Sequence, residues 1–512
     1  MAFSYPAETM SALLRRGNDG DPAIGAPERS TLTHGGLRAL ATRTIGDLNR
    51  MGIGRGDRVA MVLPNGPEMA ASFVTLACGV TTAPLNPAYR KDEFEFYLSD
   101  LNAKALVIQD GTDTPARAVA EERGISVLSL VPDLSAPAGS FTLKPQGALS
   151  GSPSSSGMAE AKDIALVLHT SGTTSRPKIV PLSHINVTAS AYHIGKTLAL
   201  TRNDVCLNIM PLFHIHGLIA ATLSTLAAGA SVVCTPGFNA LKFFSWFEAA
   251  NPTWYTAVPT MHQAILTRAA RNAETIKNGR LRFIRSSSSS LPPQVMDELE
   301  SVFGATVIES YGMTEASHQM TSNPLPPAKH YSGCVGIAAG PDVAIMSPEG
   351  EILPPDTIGE IVIRGRNVTL GYENNPSANA TAYTNGWFHT GDQGVMDAEG
   401  YLRLTGRLKE LINRGGEKIS PLEVDTILMD HPAVAQVVTF AMPHDKLGEE
   451  VAAAVVLREG ASLTERELRE FCATRVADFK VPRKIIFLDE IPKGATGKLQ
   501  RIGLAEKLGV RG

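Results

Sequence analysis

Cysteine is scarce in this chain of 512 residues: Cys78, Cys206, Cys234, Cys334 and Cys472 stand far apart. No Cys-x-x-Cys pair occurs and no histidine cluster has zinc-ligand spacing, which excludes a disulfide-stapled scaffold and a structural zinc site. Buried, reduced thiols are expected for all five, as suits a cytoplasmic protein. Basic runs are also missing, as is any stripe of basic residues interleaved with aromatics. With a formal net charge of -4, this argues against a dedicated nucleic-acid partner. No apolar run approaches the ~18 residues of a spanning helix. The first 17 residues carry Pro6, Glu8 and only a short Leu13-Leu14 pair, unlike a secretory signal. The terminus Val510-Arg511-Gly512 is not the Ser-Lys-Leu peroxisomal address. The expectation is a soluble, cytoplasmic protein with no membrane partner, acting on small molecules, as a monomer or a homodimer.

A chain this long exceeds what one core normally serves, so two or more domains are expected. Residues 29–130 alternate strand-like and helix-like pieces. Val59-Ala60-Met61-Val62-Leu63 ends in the turn Pro64-Asn65-Gly66, residues 67–78 read as helix, and Ala105-Leu106-Val107-Ile108 as a second strand. Residues 135–157, rich in Ser, Pro, Gly and Ala, read as a mobile surface excursion. A second α/β unit is expected from Ile164 to about Val335, with strands at Ser231-Val232-Val233-Cys234 and over residues 253–258. From Gly359 short β segments follow, such as Glu360-Ile361-Val362-Ile363-Arg364 and Gly400-Tyr401-Leu402-Arg403-Leu404. After Arg407 comes a compact tail, with strands over residues 434–438, 451–457 and 484–488 and an acidic-basic helix over 464–473. The predicted fold class is α/β: a large N-terminal domain of two α/β sheet subdomains plus a small β unit, then a small mobile α+β C-terminal domain.

The most informative stretch is Thr170-Ser171-Gly172-Thr173-Thr174-Ser175-Arg176-Pro177-Lys178. It follows the strand-like run Ile164-Ala165-Leu166-Val167-Leu168, at the strand end where open α/β sheets place their ligands. Hydroxyls, main-chain N–H groups around one glycine, and two cations suit an anion such as the phosphates of ATP. A Walker A loop does not fit. Pro177 replaces its second glycine and Ile179 its magnesium-binding hydroxyl.

Further along come Tyr311-Gly312-Met313-Thr314-Glu315, Thr390-Gly391-Asp392, Gly406-Arg407-Leu408-Lys409-Glu410 and Pro492-Lys493-Gly494-Ala495-Thr496-Gly497-Lys498. With these motifs in this order, the chain resembles the adenylate-forming superfamily of acyl-CoA synthetases, luciferases and peptide-synthetase adenylation domains, from the N-terminal region to about Leu508. The resemblance implies a large adenylation domain over 1–408 and a small C-terminal domain over 409–512, with ATP, Mg²⁺ and coenzyme A as cofactors. Thr170 to Lys178 would grip the β and γ phosphates, Glu315 would hold Mg²⁺ directly or through water, and Tyr311 would stack on adenine in a pocket shaped by Glu309, Ser310, Gly312, Met313 and Thr314. Asp392 would accept from the ribose hydroxyls and Arg407 support ribose and phosphate. Lys498 would be the adenylation lysine, Lys409 the hinge, and the Arg414-Gly415-Gly416 turn part of a coenzyme A channel.

The acyl pocket is expected from three places. Pro211-Leu212-Phe213-His214-Ile215-His216-Gly217 puts histidine at a position where amino-acid-activating relatives usually carry Asp; His214 would orient the carboxylate or gate the coenzyme A channel. Arg285-Ser286-Ser287-Ser288-Ser289-Ser290-Leu291 puts hydroxyls, Ser288 and Ser289 among them, where relatives have a Gly-Ala-Pro-rich wall, favouring a small polar acyl group. His318 follows Glu315 closely and could pair with a second carboxylate. Residues 310–327, 281–291 and 410–421 look like plant and fungal oxalate–CoA ligases. Ser175 fits that branch, and Ile179, where relatives usually have Gly, is expected to stiffen the loop. The expected reaction is ligation of oxalate to coenzyme A. Ligases for another small or aromatic acid, such as malonate or a hydroxycinnamate, and a stand-alone carrier-loading module are the alternatives.

Overall fold

In a computed structural model, which describes residues 5–147, 149, 151–170, 177–494 and 497–510, two large sheets share one layer of helices. The first sheet runs, in spatial order, Phe141–Pro145, Ser126–Pro132, Ala105–Gln109, Arg58–Val62, Thr81–Pro84, Ile164–Thr170 and Lys178–Ser183. Its inner pairs are parallel, and both outer pairs are antiparallel. The second sheet runs Ile337–Ala338, His318–Ser322, Thr306–Met313, Phe283–Ser287, Trp254–Ala257, Val205–Asn208, Ser231–Cys234, Pro22–Ala26 and Arg29–Thr33. Here too the middle is parallel.

The parallel strands are near-continuous apolar runs because helices cover both faces. One apolar cluster contains Met61, Leu128 and Leu166 of the first sheet with Ile24, Trp254 and Phe283 of the second. It joins them through Ile45, Phe73, Val187 and Leu218 of the helical layer. Those helices start where the sequence caps them. The Thr33 hydroxyl accepts from the Gly36 N–H before His34–Arg50, Pro67 opens Pro67–Leu76, and Ser183 with Asn186 forms a reciprocal capping box for His184–Thr197.

Two sequence expectations are corrected here. The strand Ile164–Thr170 does not open the second sheet. It pairs with Thr81–Pro84 of the first, while the N-terminal strand Pro22–Ala26 crosses to pair with Ser231–Cys234. Residues 135–157 are not a structureless excursion either. Phe141–Pro145 adds an antiparallel edge strand to Ser126–Pro132, and Ala138, Phe141 and Leu143 are buried. The alternation of Phe141, Thr142 and Leu143 is period-two strand pattern, too short to stand out among the surrounding small residues.

Strands Asp342–Met346, Gly359–Arg364, Tyr383–Thr384, Trp387–Met396 and Leu402–Arg407 form a third, smaller sheet. The tail forms a fourth from Ile412–Arg414, Glu417–Ile419, Val434–His444, Gly448–Leu457 and Lys484–Phe487, with its own core around Val424, Leu428, Leu468, Cys472 and Ile485. This C-terminal unit docks on the helices Pro259–Ala269 and Pro293–Phe303 beside the second sheet. The Thr260 hydroxyl donates to the Gly497 carbonyl (2.8 Å), the Gln263 amide to the Ala435 carbonyl (3.0 Å), and the Gln294 amide to Asp430. All five cysteines are buried free thiols. Among the described residues no helix is long and apolar enough to cross a membrane.

Phe141 gives a direct test of the corrected edge strand: Phe141→Ala should cost about 3–5 kcal/mol of stability by removing a buried ring. Urea unfolding that changes by less than about 1 kcal/mol would return residues 135–157 to the surface.

Candidate active site

The parallel strands Trp254–Ala257, Phe283–Ser287 and Thr306–Met313 lie side by side in register, with Thr256 opposite Arg285 and Ser287 opposite Ser310. Their carboxyl ends therefore deliver Ser288 and the Tyr311–Met313 segment to one edge, the usual ligand address of such sheets. Beyond Met313 the chain turns through Thr314–Ala316 and comes back as His318–Ser322, antiparallel to its own strand, with Met313 opposite His318. The reversal needs Ser317 and His318 at positive φ (50° and 104°) and leaves no room beside Gly312. A Cβ there would lie 1.8 Å from the His318 carbonyl oxygen. Non-glycine residues at such angles cost on the order of 1–3 kcal/mol each, and the surrounding structure holds His318, 2% exposed, in this position.

His318 faces His216, ring centroids 5.0 Å apart. His216 opens a π-helical segment, His216–Leu223, a rare geometry that recurs at functional sites. Gly217 is required there, since a Cβ would meet the Pro211 carbonyl oxygen at 2.4 Å. The two nitrogens of His216 contact Ser288 Oγ (3.0 Å) and Thr256 Oγ1 (2.6 Å). The His216 backbone N–H donates to His214 Nδ1 (3.3 Å). A neutral His214 therefore carries its proton on Nε2, as a donor. Burial and then Lys498 push His214 down to about 3. Burial, then the neighbouring His318, Arg285, His214 and Lys498, hold His216 well below the ordinary imidazole value; burial, Arg285, His214 and Lys498 do the same for His318. All three rings are neutral at pH 7. Any pairing of His318 with an anion is thus a hydrogen bond rather than an ion pair. Burial, then Arg407, lowers Lys498 to about 8, with Asp392 acting in the opposite sense.

The serine run divides by position. Ser286 and Ser287 are fully buried in the strand, with Ser287 donating to the Ser310 carbonyl (2.7 Å). Ser288, at φ 76°, reaches His216, Ser289 is half-buried and Ser290 exposed. Beneath the run, Glu309 accepts from the Leu291 N–H (2.7 Å), and burial raises its carboxyl to about 8.

On the neighbouring side, Asp392 accepts from the Tyr311 hydroxyl (2.6 Å) and from Arg407 Nε (2.8 Å), the latter pair being opposite each other in adjoining strands. The Tyr311 ring is only 8% exposed. Glu315 accepts from the Tyr372 hydroxyl (2.8 Å), and Lys178 Nζ lies 4.3 Å from the centre of the Tyr372 ring. Burial raises Glu315, while hydrogen bonding from its own backbone and Tyr372, then Arg407 and Lys178, pull it down. Among the described residues no group of three or more His, Cys, Asp or Glu could cage a metal. Thr170 and Lys178 are paired across the two strands that frame the phosphate loop, and Ser171, Gly172, Thr173, Thr174, Ser175 and Arg176 lie outside the described residues. Ile179 is already in the second strand, 3% exposed in an apolar cluster with Ala60, Val62 and Val167, where a β-branched side chain fits well. It anchors the strand that frames the loop.

Lys409 is exposed between the strands Leu402–Arg407 and Ile412–Arg414. Gly415 and Gly416 (φ 59° and 101°) make the turn of the following hairpin, whose Arg414 Nε pairs with the buried Glu450 at 2.6 Å.

A family model for AMP-binding enzymes matches residues 15–373, and one for the AMP-binding enzyme C-terminal domain matches 423–498. The chain belongs to the AMP-binding enzyme family. Among curated relatives, this AMP-binding enzyme is 45% identical over 511 residues to an oxalate–CoA ligase of Arabidopsis thaliana, covering 97% of this chain and 98% of that one. It is 43% identical over 475 residues to an oxalate–CoA ligase of Saccharomyces cerevisiae, covering 88% and 87%. Among solved structures, ATP-bound MatB from Rhodopseudomonas palustris superposes with a TM-score of 0.86 at 30% identity, over 98% of both chains.

Four residues escaped sequence reading as contributors. His216 and Arg285 lay inside quoted motifs, but Thr256 and Tyr372 carried no signal; Tyr372 is 57 positions from the glutamate it contacts.

A charged Lys498 favours an anionic nucleotide, and the lysine loses that charge as pH rises through about 8. The dissociation constant for ATP should accordingly rise by up to about tenfold from pH 8 to 9 by proton linkage. Lys498→Arg, charged throughout, should flatten the profile. Titration calorimetry with a flat wild-type profile would remove Lys498 from the nucleotide site.

Proposed function

We propose that this AMP-binding enzyme is an oxalate–CoA ligase that converts oxalate, ATP and coenzyme A to oxalyl-CoA, AMP and pyrophosphate. The observation that carries the reading is the gathering of His214, Ser288, His318 and Lys498 around His216, a set rich in donors. Oxalate is the smallest dicarboxylate. It has two acceptor-only ends and almost no apolar surface, so it suits hydroxyl and imidazole donors and would be poorly served by a hydrocarbon-lined pocket. The similarity to two oxalate–CoA ligases supports the same substrate.

In the first half-reaction, an oxalate oxygen attacks the α-phosphorus of ATP as the bond to the bridging oxygen of pyrophosphate breaks. Lys498 supplies positive charge where negative charge accumulates, and His214 offers Nε2–H to the reacting carboxylate. Thr170 to Lys178 hold the leaving phosphates. Asp392, already oriented by Tyr311 and Arg407, keeps acceptor capacity for ribose hydroxyls. In the second half-reaction the coenzyme A thiolate attacks the acyl carbon and AMP leaves with the bonding pair. Rotation of 409–512 about Lys409, relative to 1–408, would withdraw Lys498 and bring the Arg414-Gly415-Gly416 turn to the thiol channel.

Glu315 fits Mg²⁺ as a single hard oxygen donor, oriented by Tyr372 and next to Lys178. With one protein carboxylate, the remaining ligands would have to come from substrate and solvent. Bound there, the ion would neutralise phosphate charge.

Pyrophosphate release measured over oxalate, malonate, acetate and a hydroxycinnamate, with and without coenzyme A, tests the reading. Oxalate should give the highest kcat/KM, with thioester formed only when coenzyme A is present. Oxalate no better than acetate or malonate would refute the substrate, and adenylate formation with no transfer to coenzyme A would favour a carrier-loading module. His318→Ala should raise the oxalate KM by about 10- to 100-fold, the worth of one hydrogen bond to a charged group, and spare the KM for ATP. An unchanged oxalate KM would remove His318 from the acyl site. Lys498→Ala should slow adenylation by about 10²- to 10³-fold while sparing thioester formation from supplied acyl-adenylate. Equal loss in both half-reactions would refute its assignment.

A further inference from the structure

Arg285 is fully buried in the strand Phe283–Ser287, and no carboxylate among the described residues acts on it. Its Nη1 approaches Thr256 Oγ1 at 3.4 Å, its Nη2 approaches Gln319 Oε1 at 3.4 Å, and its Nε has no partner among the described residues. Gln319 is fixed in turn by donating from its amide to the Ala339 carbonyl (2.9 Å) and Thr197 Oγ1 (3.2 Å). Burial lowers the guanidinium to about 9, so it stays charged at neutral pH. An unanswered buried cation is expensive, and a fold that keeps one has a use for it.

The use follows from hydrogen-bond polarity. A guanidinium only donates, so Thr256 Oγ1 must accept from Arg285. The other contact of the Thr256 hydroxyl is His216 Nε2 at 2.6 Å, so its own proton is used only if it donates to that nitrogen. A neutral His216 then carries its proton on Nδ1 and donates to Ser288 Oγ at 3.0 Å. Ser288 is left with its hydroxyl proton to offer onward. Any other arrangement leaves a buried proton without an acceptor, at the desolvation cost of that group.

We propose that Arg285 is a positioning residue that acts through Thr256 and His216 to lock Ser288 as a donor, and so makes the acyl pocket selective for a fully ionised second carboxylate. The inference rests on the oxalate reading and deepens it. With Ser288 fixed as a donor beside the His214 donor and the Lys498 ammonium, the pocket rejects a substrate whose second end itself carries N–H. Oxamate, in which a neutral amide replaces one carboxylate of oxalate at nearly the same size, is the discriminating probe.

Thr256→Val keeps the shape and breaks the chain, and Thr256→Ser restores the hydroxyl. In Thr256→Val the oxalate KM should rise at least tenfold, the KM for ATP should stay within twofold, and the oxalate-to-oxamate ratio of kcat/KM should fall at least tenfold. Thr256→Ser should recover both. An oxalate KM within twofold of wild type, or an equal loss for every acid, would overturn the proposal. If Thr256→Val does not fold, Arg285→Met, which replaces the buried cation by a shorter, unbranched apolar chain, is read by the same two ratios. Wild-type enzyme that fails to prefer oxalate over acetate overturns the substrate reading, whereas a preference that survives Thr256→Val overturns only the relay.

Discussion

The architecture of the site is governed by one constraint: donors and cations are gathered in a buried space with few acceptors to answer them. Among the described residues Arg285 has two long contacts to neutral oxygens and His318 Nδ1 has no partner, and Lys498 is held near its point of deprotonation. Buried polar groups are ordinarily paired, and each exception costs stability. An incoming anion would meet this deficit, so that ligand binding and the relief of desolvation would be the same event.

Such a site needs a rigid frame. The two large sheets and their shared helices supply it: Thr256, Arg285 and Ser288 stand on or beside adjacent parallel strands, and His216 enters from the π-helical segment packed into the same core. The local cost is visible in backbone geometry, with Ser288, Ser317 and His318 all at positive φ. The core is large enough to hold these residues where hydrogen bonding needs them. The small C-terminal unit touches this frame through a few polar contacts to side chains such as Thr260, Gln263 and Gln294. Contacts of this kind can be exchanged at low cost, which suits a domain whose proposed role is to turn.

Much of the fold was legible because its signals are local. Pro67–Leu76 announces itself by Pro at the helix start, and Ala105–Gln109 and Ser231–Cys234 by short apolar runs between turns. What failed were partners. Ile164–Thr170 was recognisable as a strand, but no local pattern says which sheet receives it, and Phe141–Pro145 carries too brief an alternation to be seen. The site divides in the same way. Glu315, Asp392, Arg407 and Lys498 sit in motifs with distinctive neighbours. Thr256 contacts a histidine 40 positions earlier and an arginine 29 positions later, and nothing in its own segment marks it.

By itself the sequence determined the family and the order of the domains, because those depend on short motifs whose residue types carry the chemistry. Only the tertiary structure decided which histidines are neutral, that Ile179 belongs to a strand, and that Arg285 stands beneath the pocket with no counter-ion among the described residues. Protonation and hydrogen-bond polarity are set by burial and by neighbours from other elements, and the strand crossing that creates those neighbours is a property of the whole core.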